Sequence, residues 1–238
     1  MEMKKALVTQ AFGNKWHKVL ELTKPRMEAY CERHKIDLIS IEKPLVEPVQ
    51  YSKLAIGNII ATKGYEQVTF LDCDILVAND CDEIGNIIIA DRADDGKLME
   101  PEFDFIALDE GSFLDRKPGL KGLANAFGLN DFNPRFYFNT GVFVITSRAV
   151  GALSQPPIGL FPNHFAEQTW MNLQLHLWST ATCGLDPAYN CMTSVEEHFG
   201  LDRYKDAQII HYAGQSADMN KLIETIKADD AKLKELGR

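Results

Sequence analysis

The stretch Phe70-Leu71-Asp72-Cys73-Asp74-Ile75-Leu76-Val77 sets two carboxylates two residues apart inside an apolar run. Side chains alternate along a strand, so Asp72 and Asp74 are expected on one side of it. Two carboxylates so placed repel each other and resist desolvation. A divalent cation relieves both problems, and hard oxygen donors suit Mn²⁺ or Mg²⁺. The pair therefore points to an enzyme that handles a phosphate-bearing substrate through a metal. A second pair, Asp80-Cys81-Asp82, follows Asn79 without the apolar frame and reads as a solvated turn.

The elements that must position these carboxylates follow from local pattern. Residues 5–9 read as a buried strand, broken by Gly13 and Asn14. A helix is expected from Lys15, with Met27, Tyr30, Cys31 and His34 at helical spacing and Pro25 as a kink or split point. Residues 36–41 give a second strand, 52–63 a helix stopped by Gly64, and 68–71 a third strand that delivers Asp72. Strand alternating with helix is the signature of a parallel α/β sheet, whose ligand crevice lies beyond the carboxyl ends of the strands. Asp72 and Asp74 stand at that end.

Further along, residues 91–102 read as a polar loop, 103–108 as a strand and 111–133 as an irregular, substrate-facing loop. Residues 137–145 read as a strand interrupted by Asn139-Thr140-Gly141, and 155–162 as proline-rich and irregular. A helix over 165–178 is expected to bury Ala166, Thr169, Trp170, Leu173 and Leu177. A late strand over 207–211 and an amphipathic helix over 218–236, striped by Met219, Leu222, Ile223, Ile226 and Leu233, complete the chain.

At 238 residues, 45% hydrophobic and 25% charged, the chain is expected to be one α/β domain over 1–238. Its net charge of −9 argues against a nucleic-acid surface. No apolar run is long enough to span a bilayer, and the amino terminus lacks the apolar core of a signal peptide. Five scattered cysteines suggest reduced thiols and a cytoplasmic setting.

Four segments stand in order: Phe-Leu-Asp72-Cys-Asp74, Phe138-Asn-Thr-Gly-Val142, Glu167-Gln168, and Ile209-Ile210-His211-Tyr212-Ala213-Gly214. Together they resemble the glycosyltransferases of the GT-A fold, most of all the family 8 retaining enzymes of the glycogenin and lipopolysaccharide galactosyltransferase group. Residues 51–77 also resemble related galactosyl- and xylosyltransferases. The resemblance implies a mainly parallel sheet flanked by helices. It implies Mn²⁺ (or Mg²⁺) held by Asp72, Asp74 and His211, and a nucleotide diphosphate sugar, UDP-linked by preference, as donor. The acceptor would be a saccharide, lipid-linked or protein hydroxyl. Donor contacts are expected from Thr9, Ala11, Phe12, Lys53, Asp72, Cys73, Gly214 and Lys221, with Trp16 a second candidate to pack on the base. Catalytic contacts are expected from Gln168, Glu167, Asn139 and Lys53, with Gly141 giving close backbone approach.

The chain departs from the family in two places. Glu167 stands where the family has Asp, and Ala217 where it has Lys, with no Pro-Trp after it; Lys221 is the candidate replacement. Two alternatives remain on sequence grounds. One is a phosphatase of the haloacid dehalogenase type using Asp72 as nucleophile. The other is an inactive GT-A domain that only binds nucleotide sugar.

Overall fold

A computed structural model describes residues 3–89, 103–157 and 166–238. Eight strands are seen among them: β1 (Lys5–Gln10), β2 (Asp37–Ile41), β3 (Gln67–Asp72), β4 (Ile75–Val77), β5 (Phe105–Asp109), β6 (Phe138–Thr146), β7 (Thr182–Gly184) and β8 (Ile209–His211). Six α-helices accompany them: α1 (Asn14–His34), α2 (Ile56–Lys63), α3 (Lys117–Ala126), α4 (Ala166–Leu177), α5 (Thr193–Phe199) and α6 (Met219–Glu235).

The main sheet has the order β2-β1-β3-β6-β5-β7. It is mostly parallel: β1 pairs in parallel with β2 and β3, and β5 with β7. The exception is β6, which runs against both β3 and β5. All nine residues of β6 are buried, so its sequence carries no alternation from which direction could be read. The reversal has a consequence for the site. It brings the middle of β6 beside the end of β3, with Val142 opposite Leu71. A separate ribbon pairs β4 with β8 and sets His211 opposite Ile75.

The pleat sorts the core into two layers. Ala6, Val8, Phe70, Phe105, Phe143 and Ile145 face one side, with residues of α2, α3 and α4. Leu7, Leu71, Ile106, Val142 and Val144 face the other, with Met27, Tyr30 and Cys31 of α1. Phe70, Phe143 and Phe105 stack across three strands at centroid distances of 5.1 and 5.4 Å. A third cluster joins Val19 of α1 to Leu76, Ile210 and the buried stripe Leu222, Ile226 and Leu233 of α6.

Several sequence expectations are corrected. Pro25 does not split α1, which runs unbroken through it. It and Glu21, whose carbonyl its ring frees, are exposed, so water can satisfy that carbonyl. The irregular loop over 111–133 instead contains α3, which buries Leu120, Leu123 and Ala124. Gly119 and Gly122 lower its helix propensity, and Pro118 is harmless in a first turn. Asn139-Thr140-Gly141 lies inside β6, yet the pairing with β5 is interrupted there, its register shifting between Ala107 opposite Phe143 and Asp109 opposite Phe138. Leu177, expected inside, is 49% exposed at the end of α4. Lys53 ends a short helical turn, Val49–Lys53, ahead of α2. The expected loop over 91–102 and residues 158–165 lie outside the described residues. No helix among the described residues is long and apolar enough to cross a membrane.

Candidate active site

The chain bends after Asp72, and Cys73-Asp74 turns it into β4. Thr23 of α1 ties this bend down, its hydroxyl donating to the Cys73 carbonyl at 2.7 Å. The β4–β8 ribbon then brings His211 up beside the two acids. Ligand atoms of Asp72, Asp74 and His211 all lie within 4.8 Å of one another. His211 Nε2 stands 3.8 Å from Asp74 Oδ1. Gly141 packs beneath the cluster. A Cβ there would lie 2.2 Å from His211 Cε1 and 3.0 Å from Asp72 Oδ2.

Lys53 reaches the cluster from the other wall. It is buried, and its Nζ lies 3.0 Å from Asp72 Oδ1, 3.8 Å from Glu167 Oε1 and 3.0 Å from the Thr140 carbonyl. Burial pulls the Lys53 ammonium down, but Asp72, then Glu167, more than offset it and hold it above its ordinary value. Burial raises the Glu167 carboxyl, with Lys53 opposing. Burial also raises Asp74, opposed by His211 and reinforced by Asp72. Burial, then Asp74 and Asp72, push the Cys73 thiol up, which keeps it a neutral neighbour.

The donor set fits a divalent cation. Two carboxylates and one imidazole are hard-to-borderline ligands suited to Mn²⁺, and the missing Cβ at Gly141 is what lets the His211 ring and Asp72 close in on one another over it. Asp74 is also unfavourable as an isolated buried anion, a cost that a cation relieves.

These groups edge a cleft of about 320 Å³. Lys53, Asp72, Cys73, Asp74 and Glu167 supply its charged end. Ala11, Phe12 and Trp16, from the loop after β1 and the start of α1, supply an apolar wall, with Val49 and Gln50 facing in from the turn before Lys53. Gln10 also lines it, and its buried side-chain oxygen has no protein partner.

Of the remaining sequence candidates, Asn139 and Gln168 are buried behind the cleft. Gln168 accepts from the Thr140 N–H at 3.1 Å and donates to Glu110 Oε2 at 3.1 Å. Asn139 accepts from the Gly141 N–H at 2.9 Å. Thr9, Gly214 and Lys221 do not line the cleft. Thr9 is fully buried inside the sheet between Ser40 and Leu71, and Gly214 and Lys221 are exposed. Sequence reasoning missed Glu110 and Asn190. Glu110 is buried against Gln168 and Arg116, and Asn190 contacts His211. Neither sits in a motif; a polar residue directly after a buried strand is the only signal for Glu110.

A stability prediction follows from Asp74. A carboxyl whose value is raised on folding adds stability when protonated; that contribution is complete below its ordinary value of 3.8 and lost as pH rises through the folded value. Asparagine mimics the protonated form. In EDTA at neutral pH, Asp74→Asn is therefore expected to melt a few degrees above wild type, and the gap to close as pH falls towards 3.8. Added Mn²⁺ should reverse the order, because wild type alone keeps all three ligands. Thermal melts of both proteins across pH check this. A variant less stable than wild type in EDTA at neutral pH rules out a strained acidic pair.

No protein-family model matches the sequence, and no curated protein matches it significantly. Solved structures do share the fold. A glycosyltransferase involved in the glycosylation of the major capsid of PBCV-1 superposes at a TM-score of 0.62 and 17% identity, over 94% of this chain and 99% of that one. The glycosyltransferase GlyE of Streptococcus pneumoniae TIGR4 matches 98% of this chain at a TM-score of 0.54 and 14% identity, and this chain spans 63% of its length. Mouse xyloside xylosyltransferase 1 matches 90% of this chain and 99% of its own at a TM-score of 0.50 and 13% identity. The chain has the GT-A glycosyltransferase fold, a mixed, mostly parallel sheet flanked by helices.

Proposed function

We propose that the protein is a metal-dependent glycosyltransferase of the family 8 type. It transfers a hexose from a nucleoside diphosphate sugar, UDP-linked by preference, to an acceptor hydroxyl on a saccharide, lipid-linked or protein substrate. The observation that carries this reading is the convergence of Asp72, Asp74 and His211, with both acids lining a cleft that the apolar Ala11, Phe12 and Trp16 also line, on a GT-A fold.

Asp72, Asp74 and His211 would hold a divalent cation, which supplies charge neutralisation for the departing diphosphate. Lys53 adds a fixed positive charge at the same end. Ala11, Phe12 and Trp16 offer the surface for base and ribose. Retention is the preferred outcome by the family resemblance alone, and the nearby acids do not offer a covalent intermediate. Glu167 faces Lys53, and Glu110 is tied to Gln168 and Arg116, so neither is a free nucleophile. In the proposed route the bond from the anomeric carbon to the diphosphate breaks. The acceptor oxygen bonds to the same face, and its proton passes to the leaving phosphate. Gln168, held by Thr140 and Glu110, backs the positive anomeric centre. A cytoplasmic setting is part of the reading.

Calorimetric titration of UDP and GDP, with Mn²⁺ and with EDTA, tests the site. Wild type is expected to bind UDP only with Mn²⁺, and Asp74→Asn to lose that binding. Folded wild type that binds neither nucleotide with Mn²⁺ present sinks the reading. Mn²⁺-dependent hydrolysis of the sugar donor separates a transferase from an inactive binder.

A further inference from the structure

A buried amide does not by itself reveal which end is oxygen; its partners decide. Around His211 the partners allow one solution. The Gly141 backbone N–H points at the side chain of Asn139, 2.9 Å away. A backbone N–H can only donate, so the Asn139 atom that meets it is Oδ1. The same oxygen lies 3.0 Å from Asn190, which must therefore turn its Nδ2 towards it. The opposite end of Asn190, Oδ1, is then left against His211 Nδ1 at 2.7 Å. An amide oxygen can only accept, so Nδ1 carries a hydrogen. Neutral imidazole has one such hydrogen, and Nε2 keeps its lone pair.

Burial makes the argument tight. Asn190 has no exposed surface, His211 is 4% exposed and Asn139 6%, so bulk water does not supply alternative partners. The remaining contact, Asn139 Nδ2 to Met192 Sδ at 3.7 Å, involves a weak acceptor and does not compete with the chain. The distance of 3.8 Å between Nε2 and Asp74 Oδ1 exceeds hydrogen-bond range, as expected if Nε2 bears no hydrogen to share.

We propose that Asn139 and Asn190 form a positioning relay, starting at the Gly141 N–H, that holds His211 in its Nδ1–H tautomer and presents Nε2 as a ligand before any metal arrives. The proposal rests on the reading of Asp72, Asp74 and His211 as a metal site. It gives Asn139 a task other than the sugar contact that the family resemblance implies. It also makes Asn190 a determinant of metal affinity although it never touches the ion. Groups that orient a metal-binding histidine typically change affinity about 10–100-fold when removed.

The test is nitrogen NMR on protein labelled with ¹⁵N-histidine and stripped of metal, at a pH well above the ordinary histidine value of about 6.5. His211 signals are assigned by their loss in His211→Gln. Wild type is expected to give the Nδ1–H pattern, and an Nε2–H pattern overturns the relay. Asn190→Leu should lose the fixed tautomer and weaken Mn²⁺ binding about 10–100-fold, read by Mn²⁺ electron paramagnetic resonance. A folded Asn190→Leu protein with unchanged tautomer and affinity also overturns it. Asn139→Asp retains an acceptor for both the Gly141 N–H and Asn190, so it should keep the Nδ1–H pattern; a scrambled pattern counts against the relay. Should Asn190→Leu fail to fold, the wild-type spectrum and Asn139→Asp decide the question. A wild type with the Nδ1–H pattern that binds no Mn²⁺ upholds the relay and removes the metal reading instead.

Discussion

Gly141→Ala is expected to weaken Mn²⁺ binding by at least about 100-fold, more than removal of a supporting partner usually does, because it displaces a ligand. The added methyl would lie 2.2 Å from His211 Cε1, 2.9 Å from Nε2 and 3.0 Å from Asp72 Oδ2. Neither side can yield cheaply. Gly141 belongs to β6, which is paired with β3 on one edge and β5 on the other. The His211 ring is buried and held at Nδ1 by Asn190. The requirement is one of space, since Gly141 does not have the left-handed backbone that would favour glycine for its own sake. Overpacking of this kind destabilises by about 1–3 kcal/mol, so the variant should still fold. Calorimetry or electron paramagnetic resonance with Mn²⁺, alongside circular dichroism, gives the answer. His211→Ala vacates the space, so the double variant should recover stability that the single Gly141→Ala variant loses, a non-additivity diagnostic of direct contact. A folded Gly141→Ala protein that binds Mn²⁺ like wild type would show that the three ligands do not meet where the structure puts them.

That glycine also marks how far the sequence reaches. Its need for close approach follows from its place in Phe138-Asn-Thr-Gly-Val142, but what approaches does not, because β6 reverses direction and only that reversal sets Gly141 under Asp72 and His211. Asp72 and Asp74 are legible because two acids in an apolar strand are costly without a purpose. The alternation argument gives the right convergence by a different geometry, since the strand ends at Asp72 and a bend carries Asp74 round. Lys53 was legible as a cation ahead of the metal strand, although its position on a short turn was not.

What stayed hidden shares one physical cause. Asn190 and Glu110 act through partners distant in sequence: Asn190 through His211 and Asn139, Glu110 through Gln168. No local spacing encodes such pairs. The same holds for α3, whose two glycines mask a helix stabilised by packing rather than propensity, and for the seven-residue α5. Lys221 and Gly214 differ in the other direction, being expected from the resemblance without support from the cleft's lining. Gly214 matches the family ending and Lys221 is the candidate to replace its missing lysine, but both are exposed and neither lines the cleft.

Asp229→Ala should lower stability by about 3 kcal/mol, the scale of breaking a buried ionic pair from one side. Sequence pattern puts Asp229 on a charged helix, yet it is 4% exposed. Its carboxylate accepts from Arg203 Nη1 at 3.0 Å, from the Tyr204 hydroxyl at 2.6 Å and from the Tyr212 hydroxyl at 2.8 Å. Arg203 in turn pairs with Glu196 of α5. One side chain of α6 thus gathers α5, the segment before β8 and the residue next to His211. The hydrogen bond to Asp229, with burial, pushes the Tyr204 phenol up to about 12, and burial, then Asp229, raise Tyr212, so both remain neutral donors. Alanine removes the shared acceptor of all three at once, leaving the buried Tyr212 hydroxyl unpaired and Arg203 with Glu196 alone, whereas Tyr204→Phe or Tyr212→Phe removes one hydrogen bond and should cost about 1 kcal/mol. In a domain of this size each kcal/mol moves the melting temperature by about 2–4 °C, so Asp229→Ala should melt about 6–12 °C lower. Because Tyr212 follows His211 directly, Mn²⁺ affinity should fall with it, while Tyr204→Phe leaves metal binding close to wild type. A melting temperature within a degree or two of wild type would mean that the network is incidental and that Leu222, Ile226 and Leu233, with the Arg26–Asp230 pair, suffice to hold α6.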